Sequence, residues 1–228
     1  MSGNLYIVAT PIGNLEDITL RAIKILNDVD CIIAEDTRVT KKLLDFLHNK
    51  YQVSNYKLLS YHQHSGEEKK LEILNYLNKG KNLALVTDAG TPGISDPGNE
   101  LVSFLYEKNS EIKIIPVPGA SAITAALSVC GFDINKFVFL GFLPKKKRKK
   151  LFDWLKKGKI AFAFYESPKR IAKTLDILEK EFGPETKIFV ARELTKVFET
   201  LYRGKVFEVK EKILKESVKG EMTVVVNM

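Results

Sequence analysis

Short apolar runs of four to six residues alternate along the chain with longer stretches whose apolar residues recur every three or four positions. Leu5–Ala9 (LYIVA) is apolar and β-branched and stops at Thr10-Pro11, which predicts a buried strand followed by a loop. Leu20, Ile23 and Leu26 are spaced for a helix that Thr19 can cap. The same reading gives strands at Cys31–Ala34, Lys57–Tyr61, Leu83–Thr87 and Lys113–Val117. Helices are expected at Thr40–Leu47, Glu67–Lys79 and Asn99–Lys108, the second with glutamates at its start and Gly80 as its stop. Strands alternating with helices over this length predict a mostly parallel sheet covered on both faces.

Pro116-Val-Pro-Gly119 punctuates the pattern and sets an expected boundary between an α/β domain at residues 1–117 and a second at 118–228. In the second half, Ser121–Val129 reads as a small-residue helix and Lys136–Phe142 as a strand. A short helix containing Trp154, a strand at Ile160–Tyr165 and a helix at Pro168–Phe182 follow. Lys187–Ala191 and Val197–Tyr202 read as strands, Val206–Ser217 as a helix and Met222–Val226 as a last strand. More strands stand close together here, so a mixed sheet is expected.

Composition narrows the classes. A chain of 228 residues, 45% hydrophobic and 28% charged, can bury a real core and is not globally disordered. Thirty-six Lys and Arg against 28 Asp and Glu leave a formal charge of +8, which favours an anionic partner such as nucleic acid. Two cysteines make no disulfide framework, and no Cys/His ladder suggests zinc. No apolar run approaches the ~20 residues of a membrane span, and no basic leader precedes the first apolar run. A globular, cytoplasmic protein without membrane or metal is expected.

Candidate chemistry lies in the loops. Thr10-Pro-Ile-Gly-Asn14 follows a strand where such folds place ligands, but it lacks the GxGxxG that holds a pyrophosphate. Taken alone it is a turn. Asp88-Ala-Gly-Thr-Pro-Gly-Ile-Ser-Asp-Pro-Gly98 packs three glycines and two prolines into eleven residues. Compact connections have a median of ~4–6 residues, so this length points to a rigid binding loop. Pro118-Gly-Ala-Ser-Ala122 offers backbone donors at a helix start, or simply a cap. Glu35-Asp-Thr-Arg38 sets two carboxylates and a guanidinium after a strand, where a weak surface ion pair is the bland alternative. Tyr61-His-Gln-His64 holds two of three histidines but no legible third metal ligand. The basic run Lys145, Lys146, Lys147, Arg148, Lys149 and Lys150 is flanked by Phe142, Phe152 and Trp154. Charge runs are usually solvated loops, yet cations beside aromatic faces suit RNA or DNA.

In order, the chain reads LYIVATPIGNLEDITLRA, AEDTRVT, YHQHSGEE, ALVTDAGTPGISDPG, PVPGASA, GFLPKKKRK, FYESPKR and ARELTK. Over residues 4–226 this resembles the bacterial small-subunit ribosomal RNA 2′-O-ribose methyltransferase I family, in the tetrapyrrole-methylase superfamily. The resemblance implies two α/β domains with S-adenosylmethionine in the cleft between them, usually in a homodimer. It implies methylation of a cytidine ribose in the decoding region, on small-subunit rRNA or the 30S subunit. Pro11, Ile12, Asp88, Ala89, Gly90, Thr91 and Ile94 would then contact the cofactor. Ser121, Ala122, Tyr165 and Arg192 would do so from the second domain. Many members continue into a small helical extension beyond the last strand, whereas this sequence stops at Met228.

The residues are compatible with that chemistry. A sulfonium cofactor needs no phosphate-gripping loop, and displacement of its methyl group depends on alignment. The 2′-hydroxyl must lose a proton, for which Asp36, Asp88, His62 and Glu166 are candidates. Asp36 is the favoured acceptor, with Arg38 orienting the nucleotide. Two alternatives compete. One is tetrapyrrole C-methylation, against which TPIGN stands where a glycine-rich turn is usual. The other is a non-catalytic RNA binder, which would not need the organised loops.

Overall fold

The computed structural model describes residues 2–54, 56–144, 146, 148–216 and 219–228. The chain divides into two compact units, Met1–Ser121 and Ala122–Met228.

The first unit is built on β1 (Asn4–Val8), β2 (Cys31–Ala34), β3 (Leu58–Ser60), β4 (Leu83–Val86) and β5 (Lys113–Val117). They lie in the order β3-β2-β4-β1-β5, and every pair is parallel. The strands are apolar on both sides because both faces are covered. Leu5, Cys31, Ile33, Leu83 and Leu85 pack on α3 (Glu67–Asn78) and α4 (Gly98–Lys108) through Ile73, Leu77, Leu101 and Leu105. The alternate residues Val8, Ile32, Ala34, Ala84 and Val86 pack on α1 (Leu20–Asp28) and α2 (Thr37–Tyr51). One-residue alternation therefore sorts each strand between two cores.

Connectivity creates a place for a ligand. β1 leaves through α1 toward β2, whereas its neighbour β4 leaves through α4, on the other face, toward β5. Adjacent strands whose connections diverge in this way open a crevice at their carboxyl ends. The loops that follow β1 and β4 are Thr10–Asn14 and Asp88–Gly98.

The second unit opens with α5 (Ala122–Val129) and carries β6 (Phe137–Phe142), β7 (Ala161–Glu166), β8 (Lys187–Arg192), β9 (Thr200–Lys205) and β10 (Met222–Val226). Their order is β6-β7-β10-β8-β9, with β6 and β7 parallel and the other pairs antiparallel, a mixed sheet. Phe162, Phe164, Ile188, Val190, Val224 and Val226 form one face. α6 (Lys149–Gly158), α7 (Ile171–Phe182) and α8 (Val206–Lys215) cover it. α5 packs against β10 outside that core.

Four expectations from the sequence change. α2 starts at Thr37 rather than Thr40, because Asp36 caps it. The strand expected at Val197–Tyr202 runs from Thr200 to Lys205, and Val197 and Phe198 stand exposed in the preceding turn. α7 starts at Ile171, after a turn in which Ser167 O accepts from Arg170 N and Ile171 N. The basic run is not wholly a loop, since Lys149 and Lys150 form the first turn of α6. Lys145 and Lys147 lie outside the described residues, as does Ser217, the expected end of α8.

Candidate functional site

The crevice of the first unit is held by backbone as much as by side chains. Thr10 and Gly90 exchange hydrogen bonds, Thr10 N to Gly90 O at 2.9 Å and Gly90 N to Thr10 O at 3.1 Å, an isolated antiparallel bridge between the two loops. Gly90 has φ +89°, and a side chain there would place its Cβ 3.4 Å from Ile12 Cγ2. The bridge thus needs glycine for its backbone angle. Pro11 and Ile12 are buried beside it, while Ala89 and Ile94 are exposed. Thr91 Oγ1 donates to Ala120 O at 3.1 Å and ties the loop to the Pro118–Ser121 segment. Asp96 Oδ1 accepts from Gly93 N at 2.7 Å and Gly98 N at 2.8 Å, closing the far end at the start of α4. The loop is therefore fixed at its root, middle and end.

A polar chain crosses the three strand ends beneath it. Buried Thr10 donates through Oγ1 to Thr87 O at 3.1 Å, and Thr87 Oγ1 donates to Glu35 Oε2 at 2.7 Å. Asp36 N donates to Asp88 Oδ1 at 3.0 Å. Thr10, Thr87, Glu35, Ala120 and Asp96 carry these bonds, and all but Thr87 lie in the loops singled out from the sequence, without an assigned role of their own. A buried threonine ending an otherwise apolar strand is the sequence signal that marks the first two.

Asp36 and Asp88 differ sharply in charge environment. Asp36 Oδ1 accepts from Arg38 N at 2.8 Å as the α2 cap, and Arg38 grips both carboxylate oxygens through Nε and Nη2, the latter at 2.6 Å. That grip, led by the side-chain hydrogen bond, holds the Asp36 pKa down to about 2. The Arg38 side chain is itself 88% exposed. Asp88 is exposed at the loop root, where partial desolvation, with Glu35 and Asp36 close by, raises its pKa above the ordinary value. His62 sits in an exposed turn in which its Nδ1 accepts from His64 N at 3.2 Å, and the two rings lie 6.1 Å apart. Among the described residues, no group of three or more His, Cys, Asp or Glu is arranged to hold a metal ion.

Ser121 is the last residue of the first unit, and Ala122 is the first of α5. In the second unit Tyr165 meets Phe139 and Phe142 edge-on at 5.0 and 5.6 Å. Arg192 does not share its side of the sheet. Thr223 on β10 pairs with Tyr165 and Ala191, whereas Met222 pairs with Glu166 and Arg192. Residues paired across strands point to the same face, so Arg192 projects opposite to Tyr165. There it bonds Thr200 Oγ1 at 2.9 Å and pairs with Glu216 at 3.3 Å. Tyr202 donates to the same Glu216 carboxylate at 2.6 Å, and burial first, then this bond, pushes the Tyr202 pKa up to about 12. Glu166 is buried and fully engaged by Ser167 N, Thr174 Oγ1 and Arg170. It is a structural anion, not an accessible base.

The basic run separates by role. Lys146, Lys149 and Lys150 are exposed. Arg148 is half-buried, donates to Pro144 O, and has its pKa lowered by desolvation and by the neighbouring Arg170.

The model of the tetrapyrrole (corrin/porphyrin) methylases matches residues 4–210. The chain is 47% identical over 227 residues to the ribosomal RNA small subunit methyltransferase I of Thermotoga maritima, covering 99% of this chain and 98% of that one. It is 44% identical to the protein of the same name from Bacillus subtilis, covering 98% of this chain and 75% of that one. Among solved structures, the methyltransferase CobJ superimposes with a TM-score of 0.71 at 19% identity, covering 99% of this chain and 94% of that one. A uroporphyrin-III C-methyl transferase from Thermus thermophilus, complexed with S-adenyl homocysteine, gives 0.66 at 17% identity over 99% and 97% of the two chains. Those two likenesses concern the fold alone. The sequence matches reach further, and with them the chain belongs to the tetrapyrrole methylase family and, within it, to the ribosomal RNA small subunit methyltransferase I proteins.

Proposed function

We propose that this protein transfers the methyl group of S-adenosylmethionine to the ribose 2′-hydroxyl of a cytidine in the decoding region of small-subunit rRNA. The observation that carries the reading is the 47% identity to a ribosomal RNA small subunit methyltransferase over nearly the whole of both chains. The loop pair at the β1–β4 crevice supports it. Neither Ala9–Asn14 nor Asp88–Gly98 contains a lysine or arginine, and their polar side chains are hydroxyl, amide and carboxylate. Such a donor set repels nothing in a sulfonium and offers no grip on a pyrophosphate. Pro11, Ile12, Asp88, Ala89, Gly90, Thr91 and Ile94 are the residues that would hold it. When bound, S-adenosylmethionine supplies an electrophilic methyl group.

The remaining work falls to the chain. Rigid loops align the acceptor, because displacement at carbon needs the oxygen in line. Asp88 takes the 2′-hydroxyl proton in this reading, since its raised pKa makes it a better acceptor than Asp36. Asp36 serves as a positioning residue that caps α2 and steadies Arg38, whose exposed guanidinium can meet an RNA phosphate. His62 lies on a loop after β3, at the same sheet end, and is assigned to substrate contact. Tetrapyrrole methylation has the family model and the fold likenesses behind it, but Thr10–Asn14 lacks the glycine-rich turn expected for it. A cytoplasmic homodimer belongs to the same reading, and sedimentation of the purified protein tests the dimer.

The test is methyl transfer to small subunits that lack the modification, followed by nucleoside analysis. 2′-O-methylcytidine supports the proposal. A methylated base, or a methylated tetrapyrrole without any ribose product, contradicts it.

A further inference from the structure

The exposed side of α6 has a composition that its packing does not require. Phe152 and Leu155 drive the helix onto the second sheet, with the Phe152 ring 6.3 Å from Phe162 and 5.2 Å from Phe182. At ~3.6 residues per turn, Lys150, Trp154 and Lys157 fall together on the outer side. Trp154 is 51% exposed, and both lysines are exposed. It is the single tryptophan of the chain. Large aromatic side chains normally bury most of their surface, so this one gives little of its area to the core.

Charge around it is one-sided. Residues 145–159 hold nine basic side chains and one acidic one. That acid, Asp153, lies 4.0 Å from Lys156, which itself bonds Glu181 at 2.8 Å and stands over the Phe182 ring at 5.3 Å. Lys156 is thus consumed by the fold. Lys150 and Lys157 make no ion pair among the described residues.

We infer that Lys150, Trp154 and Lys157 form a stacking platform for one unpaired RNA base, with the lysines on the flanking phosphates. The inference rests on the RNA reading above and adds to it a way of holding the strand. An aromatic face between two free cations matches the alternation of base and phosphate in a single strand. A duplex hides its base faces, and a second copy of a chain carrying +8 would bring repulsion to this surface. RNA brings the opposite charge.

The lone tryptophan makes the test direct, because the intrinsic fluorescence above tyrosine emission reports this face only. The full chain is titrated at low salt with a mixed-sequence single-stranded RNA of about 12 nucleotides, within the usual span of such sites. Saturable quenching is expected. Trp154→Leu should weaken binding by about 5- to 100-fold, as the loss of a stacked base does, and Trp154→Phe should restore most of it. Lys150→Ser and Lys157→Ser should each reduce the log–log salt slope by ~0.7. S-adenosylmethionine affinity and far-ultraviolet circular dichroism, unchanged in each variant, show that the fold survives.

Binding without quenching, unchanged affinity of Trp154→Leu, or no binding at all overturns the inference. Quenching that follows protein concentration without RNA assigns the face to a second copy and also overturns it. Ribose methylation by a protein whose Trp154 is silent removes this inference alone. Quenching by RNA without any methyl transfer keeps it and removes the proposed function instead.

Discussion

Two aspartates one strand apart carry opposite electrostatics, and the proposed roles rest on that difference. Asp36 is the acid that its neighbours most want ionised, with its pKa held at about 2 by the Arg38 fork and the helix cap. Asp88 is pushed the other way by desolvation and by two adjacent carboxylates. The single-turnover rate of the wild-type protein should therefore fall as pH drops through a value above the ordinary aspartate pKa of ~3.9. Asp88→Asn keeps an oxygen for Asp36 N but removes the base, and should lower that rate ~100-fold and flatten its acid limb. Asp36→Asn should keep the limb and move it to lower pH, because it removes one of the carboxylates that raise Asp88. A limb that vanishes in Asp36→Asn and persists in Asp88→Asn would exchange the two assignments. Stability has its own sign. A depressed pKa stabilises the fold fully above the unfolded value and loses that contribution as pH falls through about 2. Urea unfolding between about pH 4 and pH 2 should thus be less pH-dependent in Asp36→Asn. Glu166 is a different case, since its side chain is fully buried and held by Thr174 and Arg170. Glu166→Ala should destabilise the protein by about 2–3 kcal/mol in denaturant titration, because it strands the half-buried Arg170 and the buried Thr174 hydroxyl.

At the scale of elements, the loops matter more than the helices they join. The Asp88–Gly98 loop carries its ligand-binding assignment because hydrogen bonds from Thr10, Thr91 and Asp96 leave it little freedom. Gly90→Ala adds a methyl group at φ +89° and 3.4 Å from Ile12 Cγ2. It should cost ~1–2 kcal/mol of stability and weaken S-adenosylmethionine binding in calorimetry. Much of this level was legible in the sequence. Buried strands at Cys31–Ala34 and Leu83–Val86 announce themselves by unbroken apolar runs, and the length of the glycine–proline loop marks it as more than a connection. Failures have physical causes. Glu35-Asp-Thr-Arg38 reads as chemistry or as a surface ion pair, and neither reading supplies the cap by which Asp36 starts α2. Val197 and Phe198 looked like strand residues, yet the pairing with β8 begins only at Thr200, opposite Arg192. Chain order alone groups Arg192 with Tyr165, because it cannot supply strand register, and a difference of one position reverses the face.

On the scale of the whole molecule, the two units show two ways of building an α/β layer. The first is a parallel sheet with helices on both faces and a crevice where its connections diverge. The second is a mixed sheet whose main core lies under α6, α7 and α8 and whose helix α6 presents cations outward. A net charge of +8 makes any RNA complex sensitive to salt, so affinities need comparison at one ionic strength. No helix among the described residues is long and apolar enough to cross a membrane. The central claim is that this chain methylates ribose. It is tested most directly by incubating the purified protein with S-adenosylmethionine carrying a labelled methyl group and with small ribosomal subunits lacking the modification. The rRNA is then digested to nucleosides and the label located. The account predicts label in 2′-O-methylcytidine, lost in Asp88→Asn; label on a nucleobase, or none in rRNA from a protein that binds the cofactor, would contradict it.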